Sequence, residues 1–146
     1  MPQIIFWFFV AAVLAAAGYD LLRRVIPNWL NLIVLIAGGV WAFFDPNADA
    51  SWSHIAHFVI ALVAGMLFFK FGAWGGGDGK LYAASAVSLP LSAAPMFALT
   101  TAVAGVLLVV VFGIVRRMSK VPASLSALPY GVAIAVGAVC THFIHA

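Results

Sequence analysis

Four aspartates are the only acidic residues in the chain: Asp20, Asp45, Asp49 and Asp78. Two of them stand where they could do chemistry. Asp20 closes an apolar run and is followed by Leu21, Leu22, Arg23, Arg24, Val25, Ile26, Pro27 and Asn28. Asp78 lies in Gly72-Ala73-Trp74-Gly75-Gly76-Gly77-Asp78-Gly79-Lys80, a stretch with five glycines in eight residues. Two carboxylates held close together cannot both ionise cheaply, so one keeps a proton while the other acts as base. Such a pair can hydrolyse a peptide. The base takes a proton as water attacks the carbonyl, and the acid protonates the carbonyl oxygen or the leaving nitrogen. The pair titrates as a unit, so neither role is assigned to one residue. Glycines suit this chemistry, because they permit positive φ and let a second backbone come close. An extended peptide needs that access.

Each residue also has a plainer reading. Asp20 could pair with Arg23 or Arg24 at the surface of a helix. The glycine stretch could be a flexible hairpin with a solvated Asp78. A phosphate-cradling loop is disfavoured, because no strand precedes it and the spacing is not that of a P-loop. Asp45 and Asp49 fall in Asp-Pro-Asn-Ala-Asp, which reads as a solvated turn. His54 and His57, and likewise His142 and His145, have i, i+3 spacing; interfacial anchoring is the expected role, with a metal site the alternative. Cys140 sits in an apolar run and reads as a small buried or lipid-facing residue. No Gly-x-Ser-x-Gly occurs, so nucleophilic serine or cysteine catalysis finds no support. No cofactor and no metal are expected. Pro27 should end or offset the first helix, and Asn28 could cap the next one.

The elements that must position these residues follow from composition. The chain is 66% hydrophobic and only 8% charged, whereas about a quarter charged is usual for soluble domains. Lipid must therefore be the solvent for most of its surface. The net charge of +3 is too small and scattered to suggest nucleic acid. Apolar segments run from about Gln3 to Tyr19, Trp29 to Phe44, His54 to Phe71, Leu81 to Leu91, Met96 to Val115 and Tyr130 to Ile144. The fourth is the weakest, interrupted by Ser85, Ser88 and Pro90. Backbone polar groups find no water in hydrocarbon, so the segments should be helices. The expected fold is all-α: a bundle of about six transmembrane helices in one domain over residues 1–146. Ala15-Ala16-Ala17 resembles a leader cleavage site, but Arg23 and Arg24 follow the apolar run rather than precede it. A retained first helix is expected. With six spans, Arg23, Arg24, Lys70, Lys80, Arg116, Arg117 and Lys120 all fall on one side. The positive-inside rule then makes that side cytoplasmic and puts both termini outside. A five-span arrangement with a re-entrant fourth segment ranks second, because it leaves the last three basic residues outside. Trp7, Trp29, Trp41, Trp52 and Trp74 read as interfacial belt residues.

Three motifs, in order, resemble those of the type IV prepilin peptidases, polytopic aspartic peptidases of the GxGD kind. They are Asp20 with Ile26-Pro27-Asn28, Gly75-Gly76-Gly77-Asp78 with Lys80-Leu81, and Leu128-Pro129-Tyr130-Gly131 before an Ala- and Gly-rich helix. The resemblance spans most of the chain, and the size is similar to the short, peptidase-only members associated with Flp/Tad-type pili. It implies that Asp20 and Asp78 are the catalytic pair. It implies substrate-binding or loop-shaping roles for Pro27, Asn28, Gly75, Gly77, Lys80, Pro129, Tyr130 and Gly131. The implied activity removes a short basic leader from a prepilin or pseudopilin precursor, at the cytoplasmic face of the bacterial inner membrane. Family substrates commonly carry a Glu shortly after the cut, which Lys80 or Arg23 could meet; lipid phosphate is their alternative partner. Larger members also methylate the new N-terminus and carry a domain with paired cysteines. This chain has one cysteine and a short loop between Asp20 and Asn28, so no methyltransferase activity is expected. Gly79 departs from the family, where a bulkier residue often follows the Asp, and is expected to loosen the loop. A small transporter or channel subunit, using the two Asp as proton or cation sites, is the competing reading.

Overall fold

The computed structural model describes residues 2–44, 51–119 and 128–145. Asp45, Asp49 and Lys120 lie outside the described residues. The described chain forms six helices: α1 (Pro2–Arg23), α2 (Asn28–Phe44), α3 (Ser51–Lys70), α4 (Gly76–Ala86), α5 (Ala94–Ser119) and α6 (Tyr130–His145). One 3-10 turn, Leu91–Ala93, joins α4 to α5, and no strand occurs among the described residues. Three helical stretches are long and apolar enough to cross a membrane: Gln3–Arg23, Trp52–Lys70 and Leu91–Met118. The apolar helices α2 and α6 are shorter.

Helix directions alternate. At one end of the bundle Asp20 meets Gly131, Lys80 meets Asn28, and Arg24 lies over Phe112. At the other end Phe6 packs against Trp41 and His142, while Ser53 and His54 reach the α4–α5 connection. The first end gathers the C-termini of α1, α3 and α5 and the N-termini of α2, α4 and α6.

Helix α4 departs from the expected fourth segment. It begins at Gly76 rather than Leu81 and stops at Ala86. Its 11 residues rise only about 16 Å, about half the hydrocarbon thickness of a bilayer. Yet Leu81 to Ala86 are all buried, and α4 packs against α1, α2, α3 and α6. Its small and polar residues weaken its hydropathy for this reason. In lipid, helices associate where small side chains let backbones approach, and a helix enclosed by others needs no lipid-seeking surface.

Gly79 shows this most directly. A β-carbon at Gly65 would lie 2.8 Å from the Gly79 Cα and carbonyl oxygen, and one at Gly79 would lie 3.0 Å from the Gly65 oxygen. The two glycines are therefore the crossing point of α3 and α4. The expectation that Gly79 loosens the loop is corrected: the missing side chain tightens the packing. Replacing Gly65 or Gly79 with Leu should lower the unfolding midpoint in detergent, with a cost of about 1–3 kcal/mol from overpacking. An unchanged melting curve would refute the close approach.

The histidines differ from their expected role too. His54 and His57 are only 2% and 1% exposed. The Nδ1–H of His54 donates to the Val87 carbonyl at 2.9 Å, and that of His57 to the Leu89 carbonyl at 3.1 Å. A carbonyl only accepts, so each Nδ1 carries its proton. With Ser53, whose oxygen accepts from the Leu91 N–H at 2.8 Å, they pin the connection between α4 and α5. His142 is buried beside Phe6 and Phe9, and only His145 is exposed. Interfacial anchoring does not describe the first three. His54 and His57 satisfy backbone groups of a non-helical connection that would otherwise be unpaired in lipid, whereas the His142 Nδ1–H donates to the Ala138 carbonyl within α6 at 2.9 Å. Among the described residues, no three metal-ligating side chains come together.

Candidate active site

Helix α1 runs past the expected end at Tyr19 to Arg23, so Asp20 sits in its last turn. Asp20 is 5% exposed, and its Oδ2 accepts the Gly131 N–H at 2.9 Å. This partner comes from the first turn of α6, and Arg24 lines the same cavity as Asp20, close enough for its charge to act on the carboxylate. Arg23 is exposed, and the Arg24 guanidinium lies 5.5 Å from the centre of the Phe112 ring. Arg24 itself adopts φ 59°, and its N–H donates to the Asp20 carbonyl at 2.8 Å. That left-handed turn closes α1 at some steric expense for a non-glycine residue. It turns the chain sharply into Val25, Ile26 and Pro27. The Pro27 carbonyl then receives the N–H groups of Leu30 and Asn31 at 3.1 and 3.3 Å, starting α2.

Asp78 occupies the first turn of α4. Its Oδ2 accepts the Gly75 N–H at 2.9 Å. The glycine stretch is thus not wholly a loop, since Gly76 to Gly79 are helical. Helix N-termini carry free N–H groups and positive potential that suit a carboxylate. Burial is the largest influence on Asp78: together with the charge of nearby Asp20, and against the opposing Gly75 hydrogen bond, it raises the carboxyl to about 6. Asp78 precedes the apolar run and lies in none of the three long apolar helices.

One cavity of about 180 Å³ brings the pair together. It is lined by Asp20, Arg24, Ile26, Gly75, Gly77 and Asp78, among others. Two backbones meet at its floor, because a β-carbon at Gly77 would lie 3.1 Å from both the Ile26 Cβ and the Ile26 carbonyl oxygen. Gly77 lets the α1–α2 turn touch the α4 turn, and so brings residues from two distant parts of the chain to one site. At Gly75 a β-carbon would crowd the Asp78 Oδ2 at 3.0 Å.

The remaining motif residues do not line this cavity. Pro129 is fully buried ahead of α6. Tyr130 packs against Trp74, ring centres 5.4 Å apart. Trp74 also meets Phe68 and Tyr82, so it is a packed, half-buried residue rather than a belt residue. Trp41 is half-buried too, whereas Trp7, Trp29 and Trp52 are exposed. Asn28 does not serve its own helix: its Oδ1 accepts from the Lys80 amine at 2.8 Å. Cys140 is exposed on α6. Sequence reasoning did not single out Asn31, which is 6% exposed and donates to the Gly77 carbonyl at 3.4 Å. A polar residue one turn into an apolar helix was the available signal.

Chemically, the cavity offers two buried carboxylates with room for water, between the Arg24–Ile26 turn and the glycines at 75–77. A shared proton gives such a pair its acid and its base. Cleavage depending on that proton should decline as pH rises through about 6, where Asp78 ionises. The sign for stability is the same. Asp78 has a folded pKa of about 6 against 3.8 unperturbed, so its contribution is fully present below 3.8 and lost as pH rises towards 6. Parallel profiles of kcat/KM and of the unfolding midpoint would check both. An activity that keeps rising well above pH 7 would contradict the shared-proton arrangement.

A model of the type IV leader peptidase family matches residues 7–111, a stretch that includes Asp20, Asn28, the glycine turn and Asp78. No curated protein and no solved structure matches the chain. The matched stretch covers well over half of the chain and includes both buried carboxylates, and the chain belongs to the type IV leader peptidase family.

Proposed function

We propose that the protein is an aspartic endopeptidase that removes the short basic leader from prepilin-like precursors, with Asp20 and Asp78 activating water between them. The observation that carries this reading is the shared cavity, in which each carboxylate is held by a backbone N–H in the opening turn of a helix. In both cases the second oxygen is left for water or substrate. The peptidase family favours hydrolysis over the transporter reading. The whole chain acts as a single peptidase domain in the bacterial inner membrane, without methyltransferase activity. With α4 and the buried connection after it counted as one crossing, six crossings would put the site at the cytoplasmic face and both termini outside. The support is that Arg23, Arg24, Lys70, Lys80, Arg116 and Arg117 all belong to the end of the bundle that holds the cavity.

Incubating the purified protein with a candidate pilin precursor, then weighing the new N-terminus, tests activity, cut site and methylation together. The expected product is cut just before the precursor's apolar segment and is unmethylated. An intact precursor would refute the reading.

Lys80 sits two residues past Asp78, at the rim of the site, with its amine on Asn28. If it meets an acidic residue of the precursor, Lys80→Gln should raise KM several-fold, the size of an exposed charge pair. The effect should vanish when that substrate acid is also neutralised. An unchanged KM for Lys80→Gln would exclude the pairing.

A further inference from the structure

A second cavity, of about 280 Å³, lies between α2, α3 and α4. Leu35, Phe58, Leu62 and Ala84 make its apolar wall, with Asn31 and Lys80 among its polar members. Asn31 of this cavity is hydrogen-bonded to Gly77 of the carboxylate cavity. An adjoining groove of about 400 Å³ shares Leu62 and Lys80 with the second cavity and Gly76 with the site.

Asn31 is the unusual member. It is 6% exposed, its Nδ2 donates to the Gly77 carbonyl, and its Oδ1 is buried without a partner. The orientation of this amide is set by chemistry, since the Gly77 carbonyl can face only a donor. The oxygen is thereby left as an unused, enclosed acceptor on a residue that lines an apolar cleft. Buried acceptors of this kind are rarely left unpaired without reason, because each forfeits its hydrogen bond to water.

An apolar helix supplies the complementary group. The first N–H groups of any helix have no intrahelical partner, and at the membrane edge they need an acceptor from protein. We infer that this cleft receives the apolar segment of the peptide substrate beside the scissile bond, and that the Asn31 Oδ1 accepts a main-chain N–H at that segment's start. The inference rests on the leader-peptidase reading above. Asn31 would then grip the substrate and the glycine turn at once, with one side-chain amide bridging the Gly77 carbonyl to the peptide being cut. The apolar wall would seat the side chains that follow, and the adjoining groove at Gly76 would place the scissile bond on the Asp78 side.

Cross-linking tests it. In a Cys140→Ser, Asp78→Asn background, which cannot cut, a cysteine is placed at Leu35 or Phe58 in the cleft, or at exposed Val110 on α5 as control. The precursor carries one cysteine in its apolar segment. Disulfides at Leu35 or Phe58 should form at least about tenfold faster than at Val110. Equal rates would overturn the inference, as would capture of a photoactivatable phospholipid at Leu35 with no peptide cross-link. Asn31→Leu, with Asp78 intact, should raise KM about tenfold, as for one lost hydrogen bond. A fall in kcat with KM unchanged would mean that Asn31 only braces Gly77, and would also overturn it. Cleavage by the Cys140→Ser enzyme is scored separately. Cleavage without cleft cross-links defeats this inference alone, whereas no cleavage defeats the leader-peptidase reading and this inference with it.

Discussion

Asp78→Asn and Asp20→Asn should each reduce precursor cleavage by about 10³-fold or more while leaving the protein folded in the membrane. The magnitude follows from general acid–base catalysis, which contributes 10²–10⁴-fold, and from the pair acting as a unit, so that losing either member removes both functions. The structure makes asparagine an informative replacement. Each carboxylate uses one oxygen to accept a backbone N–H, from Gly131 or from Gly75. An asparagine oxygen can accept the same bond, so the helix ends stay in place. What disappears is the shared proton. Neutral amides neither accept a proton from water nor donate one to a leaving nitrogen. Cleavage followed by mass analysis, with membrane content and helical circular dichroism measured alongside, separates chemistry from folding. If either variant keeps more than about a tenth of the wild-type rate, that aspartate is not a catalytic residue.

The second large effect is expected at a residue with no side chain. Gly131→Ala should lower kcat/KM by about 10²-fold. A β-carbon there would stand 2.9 Å from the Asp20 Oδ2 and 2.9 Å from the Ile26 Cδ1, with the Asp20 Cβ at 3.2 Å. Asp20 cannot keep its bond to the Gly131 N–H at 2.9 Å and also make room. Displacing a reacting group by about 1 Å costs on the order of 10²-fold. Helix propensity works the other way, because alanine is favoured over glycine by about 1 kcal/mol inside a helix. A loss of activity would therefore come from the contact with Asp20, not from a weakened α6. Gly39→Ala is the matched control: it also lies in a helix, and a β-carbon there meets nothing within 4 Å. Its kcat/KM should stay within about twofold of wild type. If Gly131→Ala does the same, the Gly131 N–H does not set the position of Asp20.

Much of this was legible in residue types and order. The apolar runs specified helices, because no other open structure satisfies its own backbone in lipid. Asp20 and Asp78 stood out as acids at the edges of those runs, and the glycines beside Asp78 marked a close backbone approach, which occurs at Gly77 and Ile26. Hydropathy could not tell lipid from protein. Both are apolar surroundings, so burial in the bundle and exposure to hydrocarbon favour the same residues. For that reason α4 read as the weakest membrane segment when it is the most enclosed helix, His54 and His57 read as interfacial when they are buried, and Trp74 read as a belt residue when it packs among Phe68, Tyr82 and Tyr130. Pairing across the chain was equally invisible. Gly131 stands 111 residues from Asp20, and its amide carries no mark in sequence of where it will point. The sequence by itself determined a helical membrane protein with two candidate acids and their glycine turn. Only the tertiary structure decided which backbone N–H groups hold those acids and which face of each helix meets protein rather than lipid, because those depend on helix packing between positions distant in the chain.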